Sequence, residues 1–254
     1  RFSPFSNGAI IATSEEASLL EKEKVFDVPI HYLMAVCGGF LGAYALLSRM
    51  DIFGSAQTAN LIELVCDILG RDLSQAAIRL GALLIYGGSM VLSAVLAKKT
   101  SLNLKYLTIV LDACVVIAIG FFPVHMDPLI ALYPVFFVTA FQWCVFKGAK
   151  GYVSSTIFST NNMKQTVLSV TEYLLCDASE TEQKQQHARK AAFFGGTILS
   201  FHTGVALEYL AWKTSGMHSI WFCILPLSAS LGLLLLQEES LKNLLGIRKA
   251  GQLS

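Results

Sequence analysis

The stretches FGSAQTANLIEL (residues 53–64) and IFSTNNMKQTVL (residues 157–168) decide how this chain folds. Each is polar and lies between two long apolar runs. Each contains a Thr-x-Asn motif and continues into a segment whose apolar residues recur with helical spacing. A polar break that occurs twice in an apolar chain has to be explained by the segments on either side of it.

The composition of the chain is that of an integral membrane protein. Hydrophobic residues make up 54% of the 254 residues and charged residues only 15%, whereas soluble domains carry about 25% charged residues. With a formal net charge of +1, the chain has no excess of basic residues for nucleic acid, and we expect no such partner. The six cysteines include no CxxC pair and are expected to pack as apolar residues.

Six apolar runs are long enough to cross a bilayer, for which a helix needs about 20 residues. They lie at about 29–48, 75–97, 106–124, 128–146, 191–212 and 218–236. Two further stretches, about 52–70 and 157–176, have a helical pattern but carry more polar residues. The polar ends of the chain, residues 1–28 and 239–254, are predicted to be cytoplasmic tails, with a short helix before Pro29.

The distribution of basic residues indicates that the two polar stretches do not cross the membrane. If both crossed, the 19 Lys and Arg residues would divide into 11 inside and 8 outside. The alternative is that both stretches enter the membrane and return to the side from which they came. In that case 15 of these residues lie inside, as the positive-inside rule requires, and four lie outside, namely Arg49, Arg71, Arg79 and Lys213. We therefore predict six transmembrane helices plus two re-entrant or broken helices. Seven or eight spans are the alternative.

The polar stretches also mark an internal repeat. The two Thr-x-Asn motifs lie 102 residues apart, and the glycine pairs that follow them, Gly87-Gly88 and Gly195-Gly196, lie 108 residues apart. The repeats are predicted at 29–124 and 125–238. Because each repeat holds three spans, an odd number, the second must enter the membrane from the opposite side. This is an inverted repeat, an arrangement common in transporters.

Thr and Asn are suited to the start of a helix inside a membrane. The first N–H groups of such a helix lack backbone partners, and the side-chain oxygens of N-cap Thr and Asn residues accept hydrogen bonds from them. The positive end of the helix dipole also favours an anion or a polar group. A substrate-lining role is therefore predicted for Gln57, Thr58, Asn60, Thr160, Asn161 and Asn162. The alternative is that these polar residues only hold helices together.

Two ionisable residues, Asp112 and His202, lie inside apolar runs and are candidates for proton coupling. The alternative for both is a neutral, hydrogen-bonded packing residue. Glu208 lies nearer the end of its run and is expected to reach water. Three glycine pairs are expected to permit close helix packing, namely Gly38-Gly39, Gly87-Gly88 and Gly195-Gly196.

The stretches GGFLGAYALLSRMDIFGSAQTANL and GYVSSTIFSTNNMKQ resemble the YoaK family of bacterial membrane proteins. That family shows Gly-Phe-x-Asp-Ala, then Phe-x-x-x-Gln-Thr-Gly-Asn, and a second Thr-Gly-Asn after Tyr-x-Thr-Thr. The resemblance covers nearly the whole chain after the N-terminal tail. Gly42 replaces the family Asp, and Ala59 and Asn161 replace the central glycines, so roles that rest on those residues do not carry over. The resemblance implies a fold and a membrane location more than an activity.

These observations predict an all-α integral membrane protein of the bacterial plasma membrane, with both termini cytoplasmic. The function they favour is transport or conduction of a small polar or anionic solute. The alternative is a non-transporting structural or regulatory membrane protein on the same scaffold. The sequence contains no Walker A loop, HExxH or GxSxG motif, so we expect no enzyme, no metal and no cofactor. The expected partners are the lipid bilayer, the solute and, in a homo-oligomer, further copies of the chain.

Overall fold

The computed structural model describes residues 14–49, 57–177 and 179–251, with side chains described between 25 and 240. The described chain is almost entirely helical. Its elements, in order, are α1 (Ser14–Ser48), α2 (Gln57–Gly70), α3 (Leu73–Lys99), α4 (Leu104–Ile119), α5 (Pro128–Ala131), α6 (Tyr133–Val145), β1 (Gly148–Ala149), β2 (Tyr152–Val153), α7 (Thr160–Leu175), α8 (Thr181–Ser215), a 3-10 helix (Gly216–Cys223) and α9 (Ile224–Gly251). The all-α prediction is confirmed, apart from the two-residue antiparallel strands β1 and β2.

Each of the six predicted apolar runs contains a helix, but the helices differ in length. Three described stretches are long and apolar enough to cross a membrane: Val25–Ser48, Leu73–Lys99 and Thr181–Ser240, of which the last joins α8, the 3-10 helix and the first part of α9. Helices α4 and α6 have only 16 and 13 residues. The predicted run 128–146 is divided at Leu132, because Pro134 lies in the first turn of α6, where its missing N–H costs no helical bond.

Helix α1 is one continuous helix that passes through Pro29, so the short helix predicted before this proline extends into the first apolar run. This helix is central to the packing: it lies against α8, α9 and the 3-10 helix, while α6 lies against α3 and α4. The core residues that meet there include Met34, Leu41 and Phe136, all fully buried. Helices α2 and α7 pack on α3 and α8, respectively.

Large apolar side chains also point outward from the long helices. Leu84, Leu199 and Leu225, on α3, α8 and α9, are 65%, 70% and 68% exposed. In water such surface would be unfavourable, whereas lipid covers it at no cost. Together with the long apolar stretches, these outward faces identify the chain as a membrane protein.

The glycine prediction is correct for one pair and wrong for another. A Cβ added to Gly38 or Gly39 would collide with the carbonyl oxygens of Thr156 and Phe201, so this pair lets α1 approach its neighbours at backbone distance. No atom lies within 4 Å of a Cβ added to Gly87 or Gly88. That pair does not serve close packing between the described residues, because its face of α3 meets no other helix.

Candidate functional site

A largely buried, non-helical segment, residues 154–158, leads from the β-hairpin into α7 and carries a chain of polar contacts. Ser154, Ser155 and Thr156 are buried although they lie outside regular structure. The chain turns sharply before this segment: Gly148 and Gly151 have φ of +137° and +81°, values that glycine adopts without strain. Non-helical backbone at membrane depth is tolerated only where protein or a watery cavity surrounds it.

Asn162, in the first turn of α7, forms hydrogen bonds with this segment. Its Nδ2 donates to the carbonyl oxygens of Ser155 at 2.8 Å and Phe158 at 3.0 Å, and its Oδ1 accepts from Ser154 Oγ at 2.9 Å. The capping prediction is therefore wrong for α7. The N-cap residue is Ser159, which makes no side-chain cap bond, and Thr160 is the first helical residue. The amide of Asn162 satisfies carbonyl groups of the incoming chain instead of N–H groups of the helix.

Gln142 on α6 ties the same segment to α1. Its Nε2 donates to Thr156 Oγ1 at 2.8 Å and to the carbonyl oxygen of Met34 at 2.9 Å. The contact requires α1 to lie very close, and Gly38 makes this possible because it has no side chain facing Thr156. Three elements thus meet around one buried side-chain amide.

His31 on α1 completes the network. Its Nε2 lies 3.1 Å from Ser154 Oγ, and its ring stacks on Phe193 of α8 with centroids 5.4 Å apart. Since the single hydroxyl proton of Ser154 goes to Asn162, Nε2 of His31 must be the donor in this contact. The chain His31–Ser154–Asn162 therefore has a defined direction, from imidazole N–H to amide oxygen.

A positively charged groove lies beside this network. It has a volume of about 1150 Å³ and is lined by the hairpin, by Asp27 and by three cations, Lys147, Lys150 and Arg189. The carboxylate of Asp27 is bound to Lys105 at 3.1 Å, so it does not balance these cations. Lys150 adopts φ +53°, a left-handed conformation that is uncommon for a residue with a side chain.

An adjoining cavity of about 360 Å³ shares Lys150, Tyr152 and Arg189 with the groove. Lys150 and Arg189 line it together with the rings of Tyr32, Tyr152 and Phe193. Phe193 is also the ring on which His31 stacks, so one aromatic side chain separates the basic cavity from the buried imidazole. Such an arrangement can attract an anion or a polar solute to the aromatic wall of this cavity.

The first Thr-x-Asn motif lies on another pair of helices. Asn60 is buried, and its Nδ2 lies 3.5 Å from Oε1 of Gln57 in the same helix. Arg79 of α3 holds α2 in place by binding Glu63 and Asp67, the latter at 2.7 Å. Residues 53–56 of the quoted stretch lie outside the described residues.

The two motifs show the same orientation. Asn60 and Asn162 point inward, while Thr58, Thr160 and Asn161 are exposed. Gln57 is half-buried at the start of α2. Because α2 packs on α3 and α7 on α8, the described contacts of the two motifs run to different parts of the protein.

The intramembrane ionisable residues lie in very different places. Asp112 is fully buried, whereas His202 is exposed on α8, where its Nδ1 contacts the carbonyl oxygen of Ile198 at 2.9 Å. The expectation that Glu208 reaches water is wrong. Glu208 is fully buried and accepts a hydrogen bond from Ser219 Oγ at 2.6 Å, because the 3-10 helix folds back over the end of α8.

Sequence reasoning missed several members of the network and the groove. His31 and Gln142 each interrupt an apolar run, in PIHYLMAV and AFQWCVF, and this interruption was an available signal. In the sequence, Lys147, Lys150 and Arg189 served only to predict which side of the membrane each loop occupies. Their convergence depends on the hairpin and on the register of α8, which no local pattern reveals.

The profile of one protein family, described as protein of unknown function (DUF1275), matches residues 30–233. The matched range begins in α1, ends in α9 and includes both Thr-x-Asn motifs. No curated protein and no solved structure matches the chain.

Proposed function

The chain belongs to the DUF1275 family, of which YoaK is a member, and we propose that it moves a small anionic or polar solute across a membrane. The observation that carries this proposal is the basic groove beside the network His31–Ser154–Asn162. Three cations collect an anion at the surface, next to the Phe193 ring on which His31 stacks. The proposed activity breaks no covalent bond, so no nucleophile or metal is required.

The arrangement of helices supports two related halves. Helix α1 of the first half packs on α8 and α9 of the second, and α6 of the second half packs on α3 and α4 of the first. Tyr32 and Tyr133, 101 residues apart, each donate from the hydroxyl to a backbone carbonyl oxygen in the other half, that of Phe193 at 3.2 Å and that of Ile78 at 2.6 Å. This exchange of partners is what an inverted repeat of about 102 residues produces.

The distribution of basic residues supports a topology in which neither α2 nor α7 crosses. Helix length does not distinguish them from α4 and α6, because α2 and α7 have 14 and 16 residues, while α6 and α4 have 13 and 16. We propose six spans, formed by α1, α3, α4, α6, α8 and α9, with α2 and α7 re-entrant. The basic groove and both termini then lie on the cytoplasmic side of a bacterial plasma membrane, since Lys147, Lys150 and Arg189 follow the positive-inside rule.

The test is solute release from vesicles containing the purified protein. Vesicles are loaded with inorganic phosphate, nitrate, acetate or, as an uncharged polar solute, glycerol. We expect at least one anion to leave faster than from protein-free vesicles. The double variant Lys150→Gln/Arg189→Gln should slow this release about tenfold at low salt, which corresponds to about 1.4 kcal/mol, and the difference should shrink at high salt because screening weakens the attraction.

Lys213→Gln provides the matched control, because this lysine lies at the far end of α8 from Arg189, over the ring of Tyr209. It should leave anion release unchanged. If only glycerol is released, the substrate is not an anion, and the proposal stands for an uncharged polar solute. If folded protein releases none of the four solutes, the transport proposal fails for them and the structural or regulatory alternative is favoured. The contacts of Asn162 with backbone carbonyls are of the kind that this alternative predicts.

A further inference from the structure

A further cavity, of about 580 Å³, lies where α3, α4, α6 and α9 meet. Its size is within the range of small-molecule sites, roughly 300–1,000 Å³. Apolar side chains such as Met90 and Leu234 form part of its wall, and its charged lining residues are Lys105, Lys147 and Glu238. The four helices come from both proposed halves, and substrate sites in transporters built from inverted repeats lie at such an interface.

Lys147 lines both this cavity and the basic groove. The hairpin holds its backbone in place, because its carbonyl oxygen accepts a hydrogen bond from the N–H of Ser154 at 2.9 Å. Its side chain is exposed and forms no ion pair with any other residue that the structure describes. The amine is therefore available to an anion where the two spaces adjoin.

Asp27 joins the wall of the groove to the wall of the cavity. This carboxylate lines the groove, and its Oδ1 accepts from Nζ of Lys105 at 3.1 Å and from Nε2 of Gln237 at 3.4 Å. Both donors line the cavity. The three residues lie on α1, α4 and α9, so their contacts tie these helices together between the groove and the cavity.

The ion pair between Asp27 and Lys105 can separate at little cost. The two side chains are 26% and 37% exposed, and partly solvated ion pairs contribute little to stability. Once separated, Lys105 lacks a counter-ion, which an anion entering from the groove supplies. Asp27 stays beside Lys147, Lys150 and Arg189, the cations that line the groove with it. The exchange therefore leaves no charge unbalanced.

On the basis of the transport function proposed above, we propose that this cavity is the inner binding site of the anion and that Asp27 is its gate. In the closed arrangement Asp27 binds Lys105, as the structure shows. In the open arrangement the anion replaces Asp27 and is bound by Lys105 and Lys147. The carboxylate of Glu238 accepts from the hydroxyl of Tyr106 at 2.9 Å and repels an anion, so the two lysines receive it.

Cys144 can report on this site, because it lines the cavity and is half-buried. The full-length protein in detergent is treated with iodoacetamide, a small uncharged reagent, and the modification of each cysteine is measured by peptide mass spectrometry. Asp27→Ala should speed the modification of Cys144 about tenfold, because no carboxylate then holds Lys105 and Gln237. At least one of inorganic phosphate, nitrate and acetate should slow the reaction again in this variant and, at higher concentration, in the wild type.

Lys105→Gln breaks the same ion pair from the other side. It should also speed the modification of Cys144, whereas protection by the anion should become about tenfold weaker, because one of the two cations that bind the anion is gone. Loss of protection together with faster modification separates a binding role of Lys105 from a purely structural one.

Glu172→Ala is the matched control, because it removes a carboxylate from an ion pair with His187, between α7 and α8, and should leave the rate at Cys144 unchanged. The rates at the exposed Cys66 and Cys114 should be the same in every variant, which excludes a general loosening of the fold. Equal rates at Cys144 in the wild type and in Asp27→Ala would overturn the gate. If none of the three anions protects Cys144 in the wild type, the inner site is wrong, even if no variant folds.

Labelling in detergent does not depend on transport, so the two proposals fail separately. If Cys144 behaves as expected but vesicles release no solute, the transport function is wrong and the gated anion site stands. If vesicles release an anion that does not protect Cys144, only the inner site is wrong.

Discussion

At the scale of single residues, the direction of a side chain decides its role. Asn60 and Asn162 point into the protein, while the threonines two positions earlier are exposed. The motif therefore acts through its asparagine, whose amide can donate to two carbonyl groups while its oxygen accepts from a third residue. Asn162 uses all three possibilities, so it positions the segment 154–158 on which the network is built.

Replacing Asn162 by leucine should destabilise the protein strongly. The variant leaves the carbonyls of Ser155 and Phe158 without their donor, and an unsatisfied buried group costs about 1–3 kcal/mol. We expect a loss of about 3 kcal/mol in the free energy of unfolding, measured by thermal unfolding in detergent. Asn161→Leu is the control, since this neighbour is exposed and should change stability by less than about 0.5 kcal/mol. Equal stability of the two variants would contradict the positioning role.

At the scale of the elements, the crossing of α1 and α8 organises the fold. Backbone approaches backbone here: a Cβ on Gly39 would collide with the Phe201 carbonyl, and one on Gly204 would collide with the Val36 carbonyl. Association of helices in lipid depends on such close packing, because lipid tails are as apolar as the side chains they contact. The Gly87-Gly88 pair on α3 has a similar sequence but no neighbour among the described atoms.

The two glycine pairs give a direct comparison. Gly39→Ala should lower the thermal unfolding temperature, because overpacking at a close crossing costs about 1–3 kcal/mol. Gly88→Ala should be neutral or stabilise by up to about 1 kcal/mol, since alanine is favoured over glycine in a helix with free space around it. A loss of stability in Gly88→Ala as large as that in Gly39→Ala would show that a partner, such as a second copy of the chain, covers this face of α3.

At the scale of the whole molecule, helices far apart in sequence pack on each other: α1 packs on α8, and α6 packs on α3. If the proposed halves, residues 29–124 and 125–238, are related by a repeat, each of them packs on the other. The basic groove includes Val25 and Asp27 of α1, whereas the buried Arg49 follows the last residue of this helix.

The proposed topology places Lys99 and Lys213 on opposite sides of the membrane. In a variant whose six cysteines are replaced, single cysteines at Lys99 and Lys105 should react with a membrane-impermeant reagent from the cytoplasmic side. A cysteine at Lys213 should react only from the outside, because an odd number of spans separates it from Lys105. Reaction of Lys99 and Lys213 from the same side would exclude six spans.

The sequence by itself determined the class of protein, the places where helices form and the starts of α2 and α7. Each of these depends on hydrophobicity and residue type within about 20 neighbouring positions, so local patterns suffice. The glycine pairs and the Thr-x-Asn motifs are local patterns of the same kind. Helix α2 begins next to Thr58, and helix α7 begins at Thr160.

Only the tertiary structure decided which face of each helix is buried. A helix that is apolar on all sides has almost no moment to orient it, so its rotation is set by the helices it contacts. For this reason Glu208 is buried and does not reach water, and His202 is exposed and does not face the protein interior. For the same reason Gly38-Gly39 packs against other backbone, while Gly87-Gly88 has no such neighbour among the described residues. Asn162, Gln142 and His31 likewise come from segments far apart in sequence, and only their packing brings them to the residues 154–158 that they contact.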